Sequence, residues 1–283
     1  MSQQEYYRQC YLHTGGWIPV NPSSPSIALG DFCTLQRCEL RPLGNITADL
    51  RLSENTLVSP ELPLSPSDWK LQHAVSQVFT ETERSDSEND LGSKTRQVLE
   101  FEAAGGFVFH GHNPRCTVLL NWSQIVDEIT IGLTQSHYAF REVYVITGVA
   151  SVCPWSLTIA GKAGAKLETF TRKTNADVFS LITDETCQVV SKADISTHAR
   201  SHEQPLRFIR GKRLVMSNWA SEALLERLIA NHEEGRIEFL SNWIDQNKFN
   251  AVQENELNLA TCLKYFDWVN TSLDDVERLC TRG

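Results

Sequence analysis

The chain lacks the short motifs that mark the commonest catalytic and nucleotide-binding sites. It contains no GxSxG, no P-loop and no GxGxxG loop, and none of its eight cysteines has the CxxC spacing of a zinc or redox site. Residues 1–14 contain no apolar segment of the kind that a secretion signal needs. We therefore expect a cytoplasmic protein with reduced cysteines and no cofactor, and we expect that it is not an enzyme.

The chain also lacks an excess of basic residues. Its 283 residues include 26 Lys and Arg against 35 Asp and Glu, a net charge of −9. Proteins that bind nucleic acids usually present a basic domain or stripe, so we expect no nucleic-acid partner. The charge is uneven, because residues 160–215 carry ten basic and six acidic side chains whereas residues 216–283 carry six and twelve. This unevenness has two interpretations. It is chance clustering, or the acidic tail, residues 216–283, docks on the basic middle, residues 160–215, which would face anionic lipid once uncovered.

No hydrophobic run has the composition of a membrane-spanning helix. Residues 143–161 come nearest, with 19 positions free of charge, but Pro154 and two glycines interrupt the run and β-branched residues are frequent in it. We expect two strands instead, over Val143–Val149 and Trp155–Ile159.

Hydrophobic periodicity predicts an α+β fold, with a twisted and mostly antiparallel sheet, flanking helices and a C-terminal helical segment. Two short runs near residues 27–32 and 38–44 predict an early hairpin in a region that is otherwise rich in loops. Helical spacing predicts a helix that begins near Ser67 and reaches Phe79, and a second that begins at Ser123. Between them, residues 80–97 are polar and predict a mobile loop.

The last part of the chain differs from the rest. We place a boundary between an α+β body, residues 1–215, and an acidic helical segment, residues 216–283. The apolar stripe of its last two predicted helices is formed by Leu259, Leu263, Phe266, Leu273, Val276 and Leu279. Ser272 and Asp275 have the spacing of a capping box, with Asp in place of the usual Glu. Helices this short are marginal alone, so the stripes must pack on the body.

Two histidines provide the only metal-ligand spacing that we single out. His110 and His112 are two apart, which places both imidazoles on one side of a strand. Paired histidines of this kind more often lie in a turn or on a surface, so a metal site remains the minor interpretation.

Parts of segments 95–122 and 155–190 alternate between apolar and polar residues. Membrane β-hairpins show this pattern over about ten positions, and so does the half-buried sheet of a soluble protein. If the first interpretation holds, the membrane-facing side chains are Phe101, Phe107, Phe109, Leu119, Trp155, Leu157 and Ile159.

Several of these segments resemble one family, the gasdermins, in their bacterial or fungal form. The segment Arg141–Val149 is similar to the gasdermin strand in which an acidic residue precedes a run of the YVVT type. It follows a helix of the SQIVDEITIGLT kind and leads into Leu157–Ala163, as in that family. The segment Ile27–Phe32 resembles an early gasdermin strand.

The resemblance implies an α+β pore-forming body that a C-terminal segment holds inactive. A protease would cut between them, and the body would then oligomerise and insert hairpins into a membrane as a β-barrel. Residues 216–283 would include the inhibitory segment, with residues 245–260 as the cleaved stretch. Some bacterial members carry an acyl chain on a cysteine near the N-terminus, and Cys10 is the candidate here.

Three functions therefore remain open. The first is an autoinhibited pore-forming protein in cell death or antiviral defence, a monomer that oligomerises at the inner or plasma membrane once a protease activates it. The second is a non-catalytic adaptor that holds a partner protein through its C-terminal helices. The third is a metal-dependent hydrolase that uses His110 and His112.

Overall fold

The computed structural model describes residues 3–21, 26–36, 39–52, 55–83, 94–135, 143–171, 179, 182, 188–191, 194–217, 263 and 266–280. The helices in this part of the chain are α1 (Gln4–His13), α2 (Trp122–Gln135) and α3 (Leu273–Cys280). The first nine strands are β1 (Ile18–Pro19), β2 (Asp31–Gln36), β3 (Glu39–Asn45), β4 (Leu62–Pro63), β5 (Asp68–His73), β6 (Val75–Glu83), β7 (Lys94–Phe101), β8 (Phe107–His112) and β9 (Arg115–Val118). The others are β10 (Val143–Val152), β11 (Trp155–Ala160), β12 (Ala165–Thr171), β13 (Gln188–Ser191), β14 (Ile195–Ser201), β15 (Leu206–Met216) and β16 (Phe266–Asn270).

A central antiparallel sheet has the strand order β1-β15-β10-β2-β3, and β4, β9 and β16 join it at the sides. Its middle strand, β10, is apolar on both faces, as expected for a strand that is covered on both sides. Val143 and Val145 pack with Ile129 of α2 on one face. On the other face, Tyr144 packs with Val276 of α3. The first part of the charge-free run therefore forms a strand that helices cover on both faces.

Two smaller antiparallel sheets are built from the same four lengths of chain. The proximal sheet has the order β14-β11-β8-β5, and the distal sheet has the order β13-β12-β7-β6. Each strand of one sheet leads directly into a strand of the other, so the chain forms two long, bent hairpins that lie side by side. The first consists of β5–β8 and the second of β11–β14, and they pair through β8 with β11 and through β7 with β12.

Helix α1 covers one face of the proximal sheet. Tyr6 and Cys10, which are four residues apart and therefore on one side of the helix, are buried against Phe107 and Phe109 of β8. The rings of Tyr6 and Phe107 meet edge to face, with their centres 5.5 Å apart. The first 66 residues, predicted as loops and short strands, thus contain a helix that the sequence analysis missed.

The predicted helix from Ser67 to Phe79 is wrong. This segment forms β5 and β6, the outer strands of the first hairpin. Trp69 and His73 have helical spacing, but Trp69, Leu71 and His73 also alternate with polar residues, and pairing with β8 decides between the two patterns. The predicted loop over residues 80–97 is too long, because β6 extends to Glu83 and β7 begins at Lys94.

The other predicted elements are confirmed with small shifts. The helix predicted from Ser123 is α2, and the two strands predicted within 143–161 are β10 and β11. The early hairpin is formed by β2 and β3. Together with the antiparallel sheets and the helix near the C-terminus, these elements confirm the α+β fold class. Among the described helices, none has the length and hydropathy needed to cross a bilayer.

Shortening Phe107 should loosen α1 from the proximal sheet. The Phe107 side chain is fully buried, so Phe107→Ala removes its transfer free energy and leaves a cavity under Tyr6. We expect the free energy of unfolding to fall by about 3–5 kcal/mol in urea denaturation. Leu12→Ala is the control, because Leu12 is 51% exposed on the same helix, and it should change stability by less than about 0.5 kcal/mol. A loss below about 1 kcal/mol for Phe107→Ala would contradict this packing.

Candidate functional site

The proximal sheet separates apolar from polar side chains almost completely. Its odd-numbered residues form one apolar face against α1, and these are Trp69, Leu71, Phe107, Phe109, Trp155, Leu157, Ile159 and Ala199. Its even-numbered residues point to the opposite face and include Asp68, Lys70, His110, His112, Ser156, Thr158, His198 and Arg200. Cross-strand partners share these faces, since Leu157 pairs with Phe109 on one side and Ala199 on the other.

The distal sheet buries the same parity of residue, but on the other side of the hairpins. Leu99, Phe101, Ala165 and Leu167 are odd-numbered and fully buried in a cluster that Phe179 and Ile182 help to cover. Even-numbered residues of the proximal sheet, Val108 and Ala160, join this same cluster. On this side of the hairpins, the distal sheet therefore presents its odd-numbered residues and the proximal sheet its even-numbered ones.

The charges of β7 and β12 in the distal sheet also occupy even-numbered positions. Arg96 pairs with Glu168, with 3.1 Å between the guanidinium and the carboxylate. Lys166 pairs with Glu100, with 3.4 Å between the ammonium and the carboxylate. These ion pairs link β7 to β12, one strand from each hairpin, so the hairpins are joined by charges on the face opposite their buried residues.

Five of the seven residues predicted to face a membrane lie together. Phe107, Phe109, Trp155, Leu157 and Ile159 form most of the apolar face of the proximal sheet. Phe101 belongs to the cluster of the distal sheet. Leu119 lies outside both hairpins, beside the cluster that packs under α2. The boundaries of the predicted segments also differ, since the hairpins span residues 68–112 and 155–201.

His110 and His112 are both on the polar face of the proximal sheet, beside a residue that the sequence analysis did not single out. Asp68 of β5 is the cross-strand partner of His112. One donor atom from each of Asp68, His110 and His112 can be chosen such that all three lie within 4.8 Å of one another. Burial lowers the pKa of the His110 imidazole, and the neighbouring His112 lowers it further.

Cys10, the predicted acylation site, is enclosed. Its side chain is fully buried in the cluster between α1 and the proximal sheet, and burial raises the pKa of its thiol far above the ordinary value. Acylation of Cys10 stays a prediction, and in this conformation it would require α1 to move away from the sheet.

The C-terminal segment extends the central sheet. Its strand β16 pairs antiparallel with β15, from Lys212 beside Asn270 to Met216 beside Phe266. Phe266 was predicted to end a helix, but it belongs to this strand, and Leu263 is the last described helical residue before it. The side chains of Phe266 and Trp268 pack against the cluster under α2. Trp268 also donates its indole N–H to the Thr130 hydroxyl at 2.8 Å.

Helix α3 then crosses the other face of the central sheet. Val276 is fully buried there, and Leu273 and Leu279 pack beside it, so three predicted tail residues are in contact with the body. Leu259 lies outside the described residues. The helix also packs against α1, because Tyr7 and Tyr11 lie in the same cluster as Leu273 and Leu279. Just before α3, the Thr271 carbonyl accepts a hydrogen bond from the Tyr11 hydroxyl at 2.8 Å.

One buried carboxylate, Asp275, connects α3 to the body. It accepts a hydrogen bond from the Tyr144 hydroxyl at 3.0 Å, and the Arg213 guanidinium lies 3.4 Å away. It also accepts the backbone N–H of Ser272 at 2.8 Å and the Ser272 hydroxyl at 3.1 Å, so the carboxylate makes its half of the predicted capping box. The acidic tail therefore docks on Arg213 of the basic middle, one of the two interpretations of the charge pattern.

Sequence reasoning identified Asp275 as a cap and missed its contacts with the body. Tyr144 is 131 residues away, and no local pattern indicates that pairing. Trp268 was also missed, although a tryptophan in a polar stretch between two predicted helices is a usable signal for a docked strand.

Removing the Asp275 carboxylate should release α3 from the body. The substitution Asp275→Ala leaves Arg213 without its ion pair and removes the cap, losses that together cost roughly 3–5 kcal/mol when a buried pair is broken. Amide hydrogen exchange in residues 266–280 should accelerate, while exchange in β8 and β11 stays slow. Asp274→Ala is the matched control, because Asp274 is exposed on the same turn. Equal exchange in the two variants would show that Asp275 does not hold the tail.

Comparison with known proteins gives no match in sequence and a distant similarity in structure. No family model matches the chain, and no curated protein matches it. Among solved structures, it is similar to a bacterial gasdermin from Bradyrhizobium tropiciagri, with 12% identity and a TM-score of 0.34 over 74% of this chain and 86% of that one. This is the family that the strand motifs of the sequence resemble.

Proposed function

We propose that the chain is an autoinhibited pore-forming protein and not an enzyme. A protease removes the C-terminal segment, the body then oligomerises, and the two hairpins straighten into a membrane barrel. The observation that carries the proposal is that β7–β8 and β11–β12 bury residues of the same parity on both sides of the bend.

Straightening would turn the two inner bent strands, β7–β8 and β11–β12, each into one amphipathic strand. In a regular strand all odd-numbered residues point to one side. From residue 94 to 112 the odd positions then present Leu99, Phe101, Phe107 and Phe109 on one face, with no charge among them. The even positions carry all the charged residues and both histidines of that stretch. Such a strand matches the lipid-facing and water-facing sides of a barrel wall.

The second hairpin follows the same rule. From residue 155 to 171 its odd positions are occupied by Trp, Leu, Ile, Gly, Ala, Ala, Leu, Thr and Thr, while its charges, Lys162, Lys166 and Glu168, are even-numbered. A soluble sheet that bends has no need for this agreement, because each half buries its own residues independently. Both stretches exceed the 9–11 residues that a tilted strand needs to cross a bilayer.

The edges of the hairpin pair suit assembly with further copies. In the strand order, β5 and β6 lie at one edge and β13 and β14 at the other. An edge strand presents unpaired backbone groups, and in lipid these must find partners. Pairing one edge with the opposite edge of the next copy is a head-to-tail contact that closes a ring. Membrane lipid and other copies of the chain are therefore the partners of the activated form, and the activating protease is the partner of the resting monomer.

Docking of the C-terminal segment supplies the inhibition. Through α3 the segment contacts α1, and α1 covers the apolar face of the proximal sheet. Loss of the segment would remove contacts that keep α1 in place, and the apolar face of the proximal sheet would then be exposed. We place the resting protein in the cytoplasm, its target at the inner or plasma membrane, and its role in cell death or antiviral defence.

Dye leakage from anionic liposomes tests the function directly. The intact chain should cause no leakage, and a chain nicked before the tail by limited proteolysis should empty the vesicles. No leakage from a nicked chain that still shows native circular dichroism would contradict the proposal. Aggregation of the nicked chain with no preference for lipid would favour the adaptor function instead.

A pair of neighbouring substitutions tests which face meets lipid. Thr197 is the cross-strand partner of Ile159 on the apolar side, and Ser196 is exposed beside it. In the nicked chain, Thr197→Arg should suppress leakage, because an arginine facing lipid near the midplane costs about 2–4 kcal/mol per copy. Ser196→Arg would face water and should leak almost as well as the unmodified chain.

Both intact variants should unfold at temperatures close to that of the unmodified chain, which excludes a folding defect as the cause. Suppression by Ser196→Arg alone would reverse the assignment of the faces.

A further inference from the structure

The polar face of the proximal sheet contains a group of donor atoms outside the proposed pore mechanism. We infer that Asp68, His110 and His112 form a binding site for a divalent transition metal ion, Zn²⁺ in particular. The three residues come from two neighbouring strands, and their donor atoms can all lie within 4.8 Å of one another. Two imidazoles and one carboxylate, with a water in the fourth position, are a frequent ligand set for Zn²⁺.

The first support comes from backbone geometry. His110 and His112 are two apart on β8, and Asp68 is the direct cross-strand partner of His112 on β5. The rings of the two histidines are close, with 4.0 Å between their centres. The sheet register thus fixes all three side chains on one face, and binding requires only side-chain rotations.

The second support is the hydrogen bonding of His110. Its Nδ1 lies 3.2 Å from the carbonyl oxygen of Phe179. Because a carbonyl oxygen can only accept, Nδ1 is the protonated nitrogen, and the lone pair is on Nε2. Histidine ligands usually have their second nitrogen held in this way by a carbonyl or carboxylate, which fixes the tautomer and the ring orientation.

The third support is the contact between His112 and Asp68. His112 Nδ1 and Asp68 Oδ1 are 2.6 Å apart, so the carboxylate already lies against the imidazole with which it would share the ion. Both side chains are partly exposed, at 36% and 42%, which gives an ion a path to the buried His110.

The ligand set also indicates which ions are excluded. Mg²⁺ and Ca²⁺ prefer oxygen ligands alone, so a site with two imidazoles discriminates against them. A bound ion would join β5 to β8 within the first hairpin. It would also depend on Phe179, which lies between β12 and β13 of the second hairpin, so binding favours the conformation described here.

Isothermal titration of the intact, tag-free chain with Zn²⁺ tests the site without any membrane. We expect one ion per chain and no heat with Mg²⁺. At a hundredfold excess over Kd, the midpoint of thermal unfolding should rise by at least about 4 °C. Titration with Co²⁺ should produce the visible absorption bands of a tetrahedral site.

Three variants decide whether these residues bind the ion. His112→Ala and Asp68→Asn should each weaken binding more than tenfold, since even a second-layer substitution costs about 10–100-fold in affinity. His13→Ala is the control, because His13 is exposed on α1, away from the cluster, and should leave binding unchanged. The inference would be overturned if the intact chain did not bind one Zn²⁺. It would also be overturned if His112→Ala and Asp68→Asn both bound Zn²⁺ with unchanged affinity. Neither outcome bears on vesicle leakage, so the two proposals fail independently.

Discussion

The structure depends on how two bent hairpins bury their odd-numbered side chains. Before the bend these side chains face one side of the sheet, and after the bend they face the other side. Because the proximal and distal halves expose apolar residues to different sides, two separate covers are needed. Helix α1 covers the proximal half with Tyr6 and Cys10, and Phe179 and Ile182 cover the distal half. In the bent form these covers keep the apolar residues of both halves out of water, whereas a straight hairpin would leave one continuous apolar face exposed.

The covers are linked to the C-terminal segment by contacts that cross the molecule. One side of α1 packs on the proximal sheet, and Tyr7 and Tyr11 on the other side belong to the cluster that contains α3. Helix α3 in turn is held to the central sheet by Asp275, through Tyr144 and Arg213. The stability of the proximal half therefore includes contributions from residues near the end of the chain.

The sequence predicted those parts of the fold in which one periodicity dominates. The run around β10 and β11 and the stripe of Ile125, Ile129 and Leu133 in α2 admit only one interpretation. The segment from Ser67 to Phe79 has both helical and alternating spacing, so the choice depended on pairing with β8, which no local pattern shows. Helix α1 was missed because it is mostly polar and only Tyr6 and Cys10 are buried.

The candidate sites also contain one part that the sequence could predict and another that it could not. Alternation within the second hairpin can be recognised from residues 155–171 alone, and it identified Trp155, Leu157 and Ile159 on the apolar face. The cluster of Asp68 with His112 joins residues 44 apart, and the contact of Asp275 with Tyr144 joins residues 131 apart. Such contacts are set by register and packing, so only the folded chain brings them together.

The pairing of β15 has a kinetic consequence. Along one edge of β15, β1 pairs with Phe208 and Ile209, and β16 pairs with residues from Lys212 to Met216. A chain that loses its C-terminal segment thus gains an open edge of five residues, next to the site that β1 still occupies. Under the proposed function, an extended segment of another molecule can add to such an edge and so remove an activated chain before it reaches a membrane. The proposal therefore implies a short lifetime for the activated chain in solution, so that cleavage close to the membrane would deliver more molecules to it.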